Sequence, residues 1–200
     1  IIDQYGLDPL RYYLIKEVSF GNDGSISQDR LEDCINSDLA NNFGNLCQRV
    51  TAFAIKNCNG KIPNNINFNN DDLKLLNRFS NNLEVIRNKI DEQDINFYID
   101  FIINSLFDTN KYFNDQEPWK KKEDKQRLDT IVYTTLEIVR KISFLLYPII
   151  PDSSLKALKI FNISENQIEF SSLKNHSYLE SEKMINKIDI LFKKIEKKND

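Results

Sequence analysis

Asn45 and Arg49 stand four residues apart in a stretch with helical periodicity, which makes their side chains neighbours on one helix surface. An asparagine amide carries a donor and an acceptor, and a guanidinium is a planar fork of donors. Together they suit the hydrogen-bonding edges of unpaired nucleobases. At about 100° per residue, Asn41, Asn45, Arg49, Ala52 and Lys56 form a polar strip beside an apolar stripe. An ordinary solvated helix face has the same appearance. A second group surrounds Trp119, the only tryptophan, which directly follows Pro118 and precedes Lys120, Lys121 and Lys122. An exposed indole beside a basic run can stack one base, a contact of about 1–3 kcal/mol, and hold its phosphates. A core tryptophan before a lysine-rich helix start is the ordinary alternative.

Other reactive residue types point away from catalysis by this chain. His176 is the only histidine, with no Cys or Ser motif near it, so histidine-assisted nucleophilic catalysis is not expected. It reads as a surface residue. Cys34, Cys47 and Cys58 are too far apart for a metal clip and read as small apolar fillers on a helix, which suits a reducing compartment. No metal ligand set is expected.

The elements that must position the two groups are helices. Asp8–Val18 is a short one (Leu10, Tyr13 and Leu14 inward), followed by the turn-rich Gly21-Asn22-Asp23-Gly24. Ser27 is a candidate N-cap for a long helix to about Asn57, with Gly60 beyond it as a stop. Along it Leu31, Ile35, Leu39, Phe43, Leu46, Val50 and Phe53 recur at steps of four and three, one continuous apolar face, and Gly44 marks a bend or a close approach. Asn59–Asn70 is a loop. Asn70 is expected to cap a third helix, Asp71 to about Asp91 (Leu73, Leu76, Leu83, Ile86 and Ile90 inward), and Asp94 a fourth to about Phe113 (Ile95, Tyr98, Ile99, Ile102 and Leu106 inward). Pro118 biases Glu117 away from the α region. A fifth helix spans about Glu123–Leu146 (Leu128, Ile131, Thr135, Ile138, Ile142 and Leu145 inward), and Asp152 caps a short sixth through Phe161. Long helices joined by short loops predict an all-α, antiparallel helical bundle.

With 200 residues, 40% hydrophobic and 28% charged, the chain can bury a core, and no apolar run approaches the roughly 18 to 20 residues of a membrane span. The net charge of -3 argues against a generic nucleic-acid binder, so any RNA contact must rely on local features. The start, Ile1-Ile2-Asp3-Gln4-Tyr5, shows no secretory signal and no initiator Met, and reads as a cut into something longer.

Tyr5-Gly6-Leu7-Asp8-Pro9-Leu10-Arg11-Tyr12-Tyr13-Leu14 resembles the helix after the K-M-S-K-S loop of class I aminoacyl-tRNA synthetases. Phe20-Gly21-Asn22-Asp23-Gly24-Ser25-Ile26-Ser27 and Asp38-Leu39-Ala40-Asn41-Asn42-Phe43-Gly44-Asn45-Leu46-Cys47-Gln48-Arg49 resemble the methionine enzyme in particular. So do Asn110-Lys111-Tyr112-Phe113 with Glu117-Pro118-Trp119, and the ending Leu191-Phe192-Lys193-Lys194-Ile195-Glu196. The ordered set is similar to the anticodon-binding C-terminal part of bacterial-type methionyl-tRNA synthetases. That resemblance implies a CAU anticodon reader in a cytoplasmic methionine–tRNA ligase, with tRNA(Met) and the parent's own catalytic domain as partners. Asn45 and Arg49 would then hydrogen-bond the anticodon and Trp119 would stack on its first base. Pro118 would turn the indole outward, and Lys120, Lys121 and Lys122 would lie near stem phosphates. The H-I-G-H and K-M-S-K-S motifs are absent, which assigns ATP, methionine and any zinc to the parent's catalytic domain and leaves this chain inactive by itself.

The expected organisation is a stem-contact segment at 1–27, a helical bundle at 28–162 and a tail at 163–200. Lys193 stands where the family has proline, yet 183–196 is expected to be extended and to pack back near Val18–Ser27. Two alternatives are the helical domain of another class I synthetase, and a helical protein-interaction module that binds no RNA.

Overall fold

The computed structural model describes residues 1–17 and 26–196. The fold is all-α as expected, and the described residues contain one isolated backbone bridge, Lys61 to Met184, outside the helices. Helix α1 is Ile2–Tyr5 and α2 is Leu7–Glu17. Ser27 then caps α3 (Gln28–Cys34), its hydroxyl facing the Arg30 amide. The rod continues without a break through a wider π-wound segment, Ile35–Gly44, into α4 (Asn45–Asn57). Helices α5 (Asn70–Asp91), α6 (Ile95–Gln116), α7 (Lys125–Leu146) and α8 (Pro151–Leu158) complete the bundle. Val18 and the Gly21–Gly24 turn lie outside the described residues.

The π winding explains how the long apolar stripe works. Leu31, Ile35, Leu39 and Phe43 follow one another at steps of four, each advancing roughly 40° on a straight α-helix. Such a stripe would wander off the core. Underwinding the middle of the rod keeps all four inward, each at most 3% exposed. Gly44 closes the π segment at an ordinary right-handed φ of -62°. Its role is close approach: a Cβ there would meet Leu39 O at 3.1 Å and Phe192 at 3.6 Å.

Helix α7 departs most from its expected amphipathic form. Every residue from Leu128 to Leu146 is buried, because α4, α5, α6 and α8 all pack on it. Thr130, Thr135 and Ser143 satisfy their hydroxyls on carbonyls one turn back, at 2.8, 2.8 and 2.7 Å. Glu137, Arg140 and Lys141 are fully buried and paired together. Arg140 Nε donates to Glu137 at 2.9 Å, and the guanidinium also reaches Ser172 Oγ at 3.1 Å and lies 4.2 Å from the Tyr178 ring centroid. Lys141 Nζ donates to the carbonyls of Leu173 at 2.5 Å and Asn175 at 2.6 Å. Burial pushes the Glu137 carboxyl up and the Lys141 ammonium down, to about 8. These charges fasten 170–179 to the core.

Several expected details shift. Asn69, not Asn70, caps α5, through a capping box with Asp72. The buried face of α5 is Leu75, Leu76, Phe79, Leu83 and Ile86; Leu73 is half-buried and Ile90 is 39% exposed. Asp152 does not cap α8, because Pro151 occupies the first helical position and places Asp152 inside the turn. The buried carboxylate of Asp8 accepts from the Ser153 amide instead, at 2.7 Å, joining α2 to α8. The three cysteines are free and buried, with burial pushing the Cys34 and Cys58 thiols up to about 12. His176 is half-buried against Ser80 on α5, at 3.4 Å, where burial lowers its pKa, and is not the surface residue expected.

After α8 the chain follows short 3-10 turns and extended backbone, and 183–196 is extended as expected. It returns along the rod. Ile185 N donates to Gly60 O at 2.8 Å, Phe192 packs on Phe43, and Asn36 bonds the Ile195 backbone twice, at 2.9 and 2.8 Å. The end of this run shares a cleft with residues 4–9, and most of the stretch expected to receive it, residues 18–25, lies outside the described residues.

Replacing Arg140 by Met leaves Glu137 buried without its main partner, and we expect a loss of about 3–5 kcal/mol in urea unfolding, with faster proteolysis around 170–179. Lys141 gives a pH signature. Between about 8 and its ordinary 10.5, the unfolded chain holds a proton that the folded chain has shed, so this residue makes stability rise with pH across that window. The neutral amine still donates to both carbonyls. Lys141→Met should lack that increment when unfolding midpoints are compared across the window.

Candidate nucleic-acid interface

The polar strip of α4 faces solvent as expected: Asn41, Asn45, Ala52 and Lys56 are exposed and Arg49 is half-buried. Arg49 does not lie free on that face. Its Nη2 donates to Asn114 Oδ1 at 2.6 Å, and its guanidinium carbon sits 5.5 Å from the centroid of the Phe113 ring. Both partners lie at the end of α6. Phe113 in turn meets Phe53 edge-on at 5.9 Å and Trp119 at 6.2 Å with 69° between ring planes. Two residues 70 positions apart, Arg49 and Trp119, thus share one buried phenyl ring. The result is an indole, a guanidinium fork and the Asn45 amide on neighbouring surface.

The turn that carries Trp119 is built locally. Glu117 leaves the α region, as its proline neighbour requires, but enters the left-handed region (φ 44°, ψ 59°) and not the extended one. Pro118 is buried and opens a single 3-10 turn, Pro118–Lys120, closed by Lys120 N to Glu117 O at 2.9 Å. The indole is left 41% exposed. It therefore sits on a short helical turn. The lysines divide: Lys120 pairs with Glu117 at 2.7 Å, Lys121 is half-buried, and Lys122 is exposed. Lys120 is thereby partly neutralised and serves the turn's geometry.

A buried polar knot holds both ends of this turn. Arg127, just after it, grips Asp72 with two hydrogen bonds, at 2.6 and 3.0 Å, and Gln116, just before it, at 2.7 Å. Asp72 also accepts from the Tyr112 hydroxyl and from the Asn69 amide at 2.8 Å, with no exposed surface of its own. Burial, then the Asp72 charge, push the Tyr112 phenol far up, so it remains a donor. Nearby, Asn110 bonds Asn42 at 2.7 Å and locks α6 to the π-wound segment.

The sequence reading missed Phe113, Asn114 and Phe53 as site residues. Phe113 stood only at a helix end and inside a family motif, and nothing in its spacing from Arg49 marks the two as partners.

The family model described as the anticodon binding domain of methionyl tRNA ligase matches residues 62–200, more than half of the chain. The chain belongs to that family. A second model, class I tRNA synthetases (M), matches residues 1–51. Asn45 and Arg49 therefore fall in one match and Trp119 in the other. Methionine–tRNA ligase of Brucella suis is 37% identical over 174 residues, covering 86% of this chain and 34% of its own length. The Mycobacterium tuberculosis ligase is 38% identical over 178 residues, covering 86% and 34%. This chain thus spans about a third of the curated relatives it matches. Among solved structures, the apo methionyl-tRNA synthetase of M. tuberculosis superposes with a TM-score of 0.91 at 33% identity, over 98% of this chain and 40% of that one. The same enzyme in complex with methionyl-adenylate gives 0.89 at 35% identity, over 96% and 38%. Family and fold therefore agree with the methionyl-tRNA ligase reading over the other class I synthetases and the interaction module.

Trp119 is the only tryptophan, so its fluorescence reports on this turn alone. Phe113→Leu removes the ring both partners lean on. We expect stronger acrylamide quenching and a red-shifted emission, with the helical circular dichroism unchanged.

Proposed function

We propose that this chain reads the CAU anticodon of tRNA(Met) for a methionine–tRNA ligase. Asn45 and Arg49 hydrogen-bond base edges, and Trp119 offers the face on which the first anticodon base stacks. Pro118 fixes the turn, while Lys121 and Lys122, more than the paired Lys120, supply charge to the backbone phosphates. One observation carries this reading: Arg49 and Trp119, from distant parts of the sequence, converge on Phe113 beside the exposed Asn45. A stacking platform and a bidentate fork held on rigid helices are what reading an unpaired base requires.

The parent enzyme would activate methionine with ATP and transfer it to the tRNA 3′ end in the cytoplasm, using a catalytic domain that also holds any zinc. This chain takes no part in those bond changes. Its task is discrimination, about 1–3 kcal/mol for each well-made bidentate contact. A net charge of -3 adds little nonspecific attraction, so binding should depend on the anticodon more than on bulk charge. Among the described residues, no helix is long and apolar enough to cross a membrane.

The experiment is anisotropy titration of the 200-residue chain with a labelled CAU anticodon stem-loop and a scrambled-anticodon control. Wild type should prefer CAU. Trp119→Ala and Arg49→Ala should each weaken that complex by about tenfold or more, given the size of stacking and bidentate contacts. Unchanged affinity in both variants would overturn the assignment.

A further inference from the structure

Free positive charge is unevenly placed in this protein. Over much of the surface, lysines and arginines are held by carboxylates, as Lys16 is by Asp38, Lys61 by Glu182 and Lys111 by Asp115. Lys156, Lys159, Lys187, Lys193 and Lys194 differ: all five are exposed, and none has an ion-pair partner among the described residues. The other described cations without a carboxylate are few. Arg49, Lys56, Lys121 and Lys122 surround the candidate site, Arg11 donates to the carbonyls of Pro148 and Ile149, and Lys74 and Arg87 stand on α5.

The five lysines form a connected run. Lys187 shares a cleft with Ala52 and Ile55, at the polar strip of α4. Lys187, Lys159 and Lys156 line a second cleft, between α8 and the returning tail. Lys156, Lys193 and Lys194 line a third, beside residues 4–9. Acids at the second and third clefts are fewer and partly engaged. Asp8 is buried on the Ser153 amide and Glu165 accepts from the Tyr147 hydroxyl, which leaves Asp152 and Asp189 against five lysines.

This run follows the rod. Ile188 lies beside Ala52, and Ile195 is bonded to Asn36, sixteen rod residues away. At 1.5 Å per residue that is about 24 Å. One strand of a duplex advances roughly 3.4 Å per nucleotide, so the length matches about seven phosphates. A stripe of free cations on a chain of net charge -3 is a local electrostatic footprint, continuous at one end with the polar strip that carries Asn45 and Arg49.

We propose that Lys156, Lys159, Lys187, Lys193 and Lys194 form a track for the phosphate backbone of the double-stranded stem whose loop is read at Arg49 and Trp119. The proposal rests on the anticodon-reading assignment for the identity of that RNA, and extends it from the bases to the backbone. A paired stem offers its phosphates, so the track contributes affinity and orientation without sequence preference. Discrimination stays with the loop contacts.

The test uses the 200-residue chain with Lys156→Gln, Lys159→Gln, Lys193→Gln and Lys194→Gln combined, and a control carrying Lys74→Gln and Arg87→Gln. All six positions are exposed, so both variants should melt as wild type does. Anisotropy titrations with CAU and scrambled stem-loops are run from 50 to 200 mM salt. We expect the quadruple variant to bind both RNAs about tenfold more weakly at the lowest salt, with the preference for CAU unchanged. Its slope of log affinity against log salt should flatten by about 3, near 0.9 for each lost phosphate contact, while the control keeps the wild-type slope. Uncharged methylphosphonate linkages in the stem should abolish the quadruple variant's penalty, and the same linkages confined to the loop should not. Wild-type affinity and slope in the quadruple variant, with Trp119→Ala still impaired, overturn the track and leave the anticodon assignment standing. An equal loss in the control, or a penalty that survives an uncharged stem, also overturns it. If wild type does not prefer CAU yet the quadruple variant still flattens the salt dependence, the anticodon assignment falls alone.

Discussion

A helix with no solvent face constrains everything packed around it, and α7 is such a helix. With Leu128–Leu146 buried all round, each neighbour must cover one of its sides. The three charges in its fully buried middle, Glu137, Arg140 and Lys141, must also find partners inside. Glu137, Arg140 and Lys141 do so by gripping one another and the backbone of 172–175. Water cannot replace those partners, so they specify where the segment after α8 goes. The same burial presses α4 and α6 against α7, and those two helices carry Arg49 and Phe113.

From that centre, rigidity passes outward to the proposed recognition surface in two steps. The Asp72 knot ties the start of α5, the end of α6 and the start of α7 into one corner. The Trp119 turn projects from that corner with its Gln116 side and its Arg127 side both held. Phe113 then transmits the position of α6 to Trp119 and Arg49 through ring contacts. An indole held in this way has little orientational freedom left to lose on stacking, and preorganisation of that kind reduces the entropy cost of binding.

The rod from Gln28 to Asn57 links two regions with different jobs. Within its π-wound segment it meets α2, where Tyr12 and Lys16 both reach Asp38, at 3.0 and 2.7 Å. Near its end it presents Asn45 and Arg49. The π-wound segment holds the first contact and runs directly into α4, and so sets the rotation of the second half relative to the first. A plain α-helix over Ile35–Gly44 would turn Asn45 and Arg49 away from Phe113 and Trp119. The tail that runs back along the rod contacts this segment through Phe192, Gly44 and Asn36, and so supports the winding on which the site depends.

The sequence by itself determined the element types, most of their limits and the candidate residues. Periodicity, Ser27, Asp94 and Pro118 act locally, through a helix face, a cap or a fixed φ, and local chemistry is legible in one dimension. The family resemblance implied roles for Asn45, Arg49 and Trp119 that spacing alone left open. Tertiary structure decided what depends on partners far along the chain. Asp8 caps α8 because two helices meet, α7 is buried because four neighbours surround it, and His176 is half-buried because the tail lies on α5. Phe113 became the hub of the candidate site for the same reason. A side chain's type states what it could bond, but its burial and its partners belong to the packed molecule.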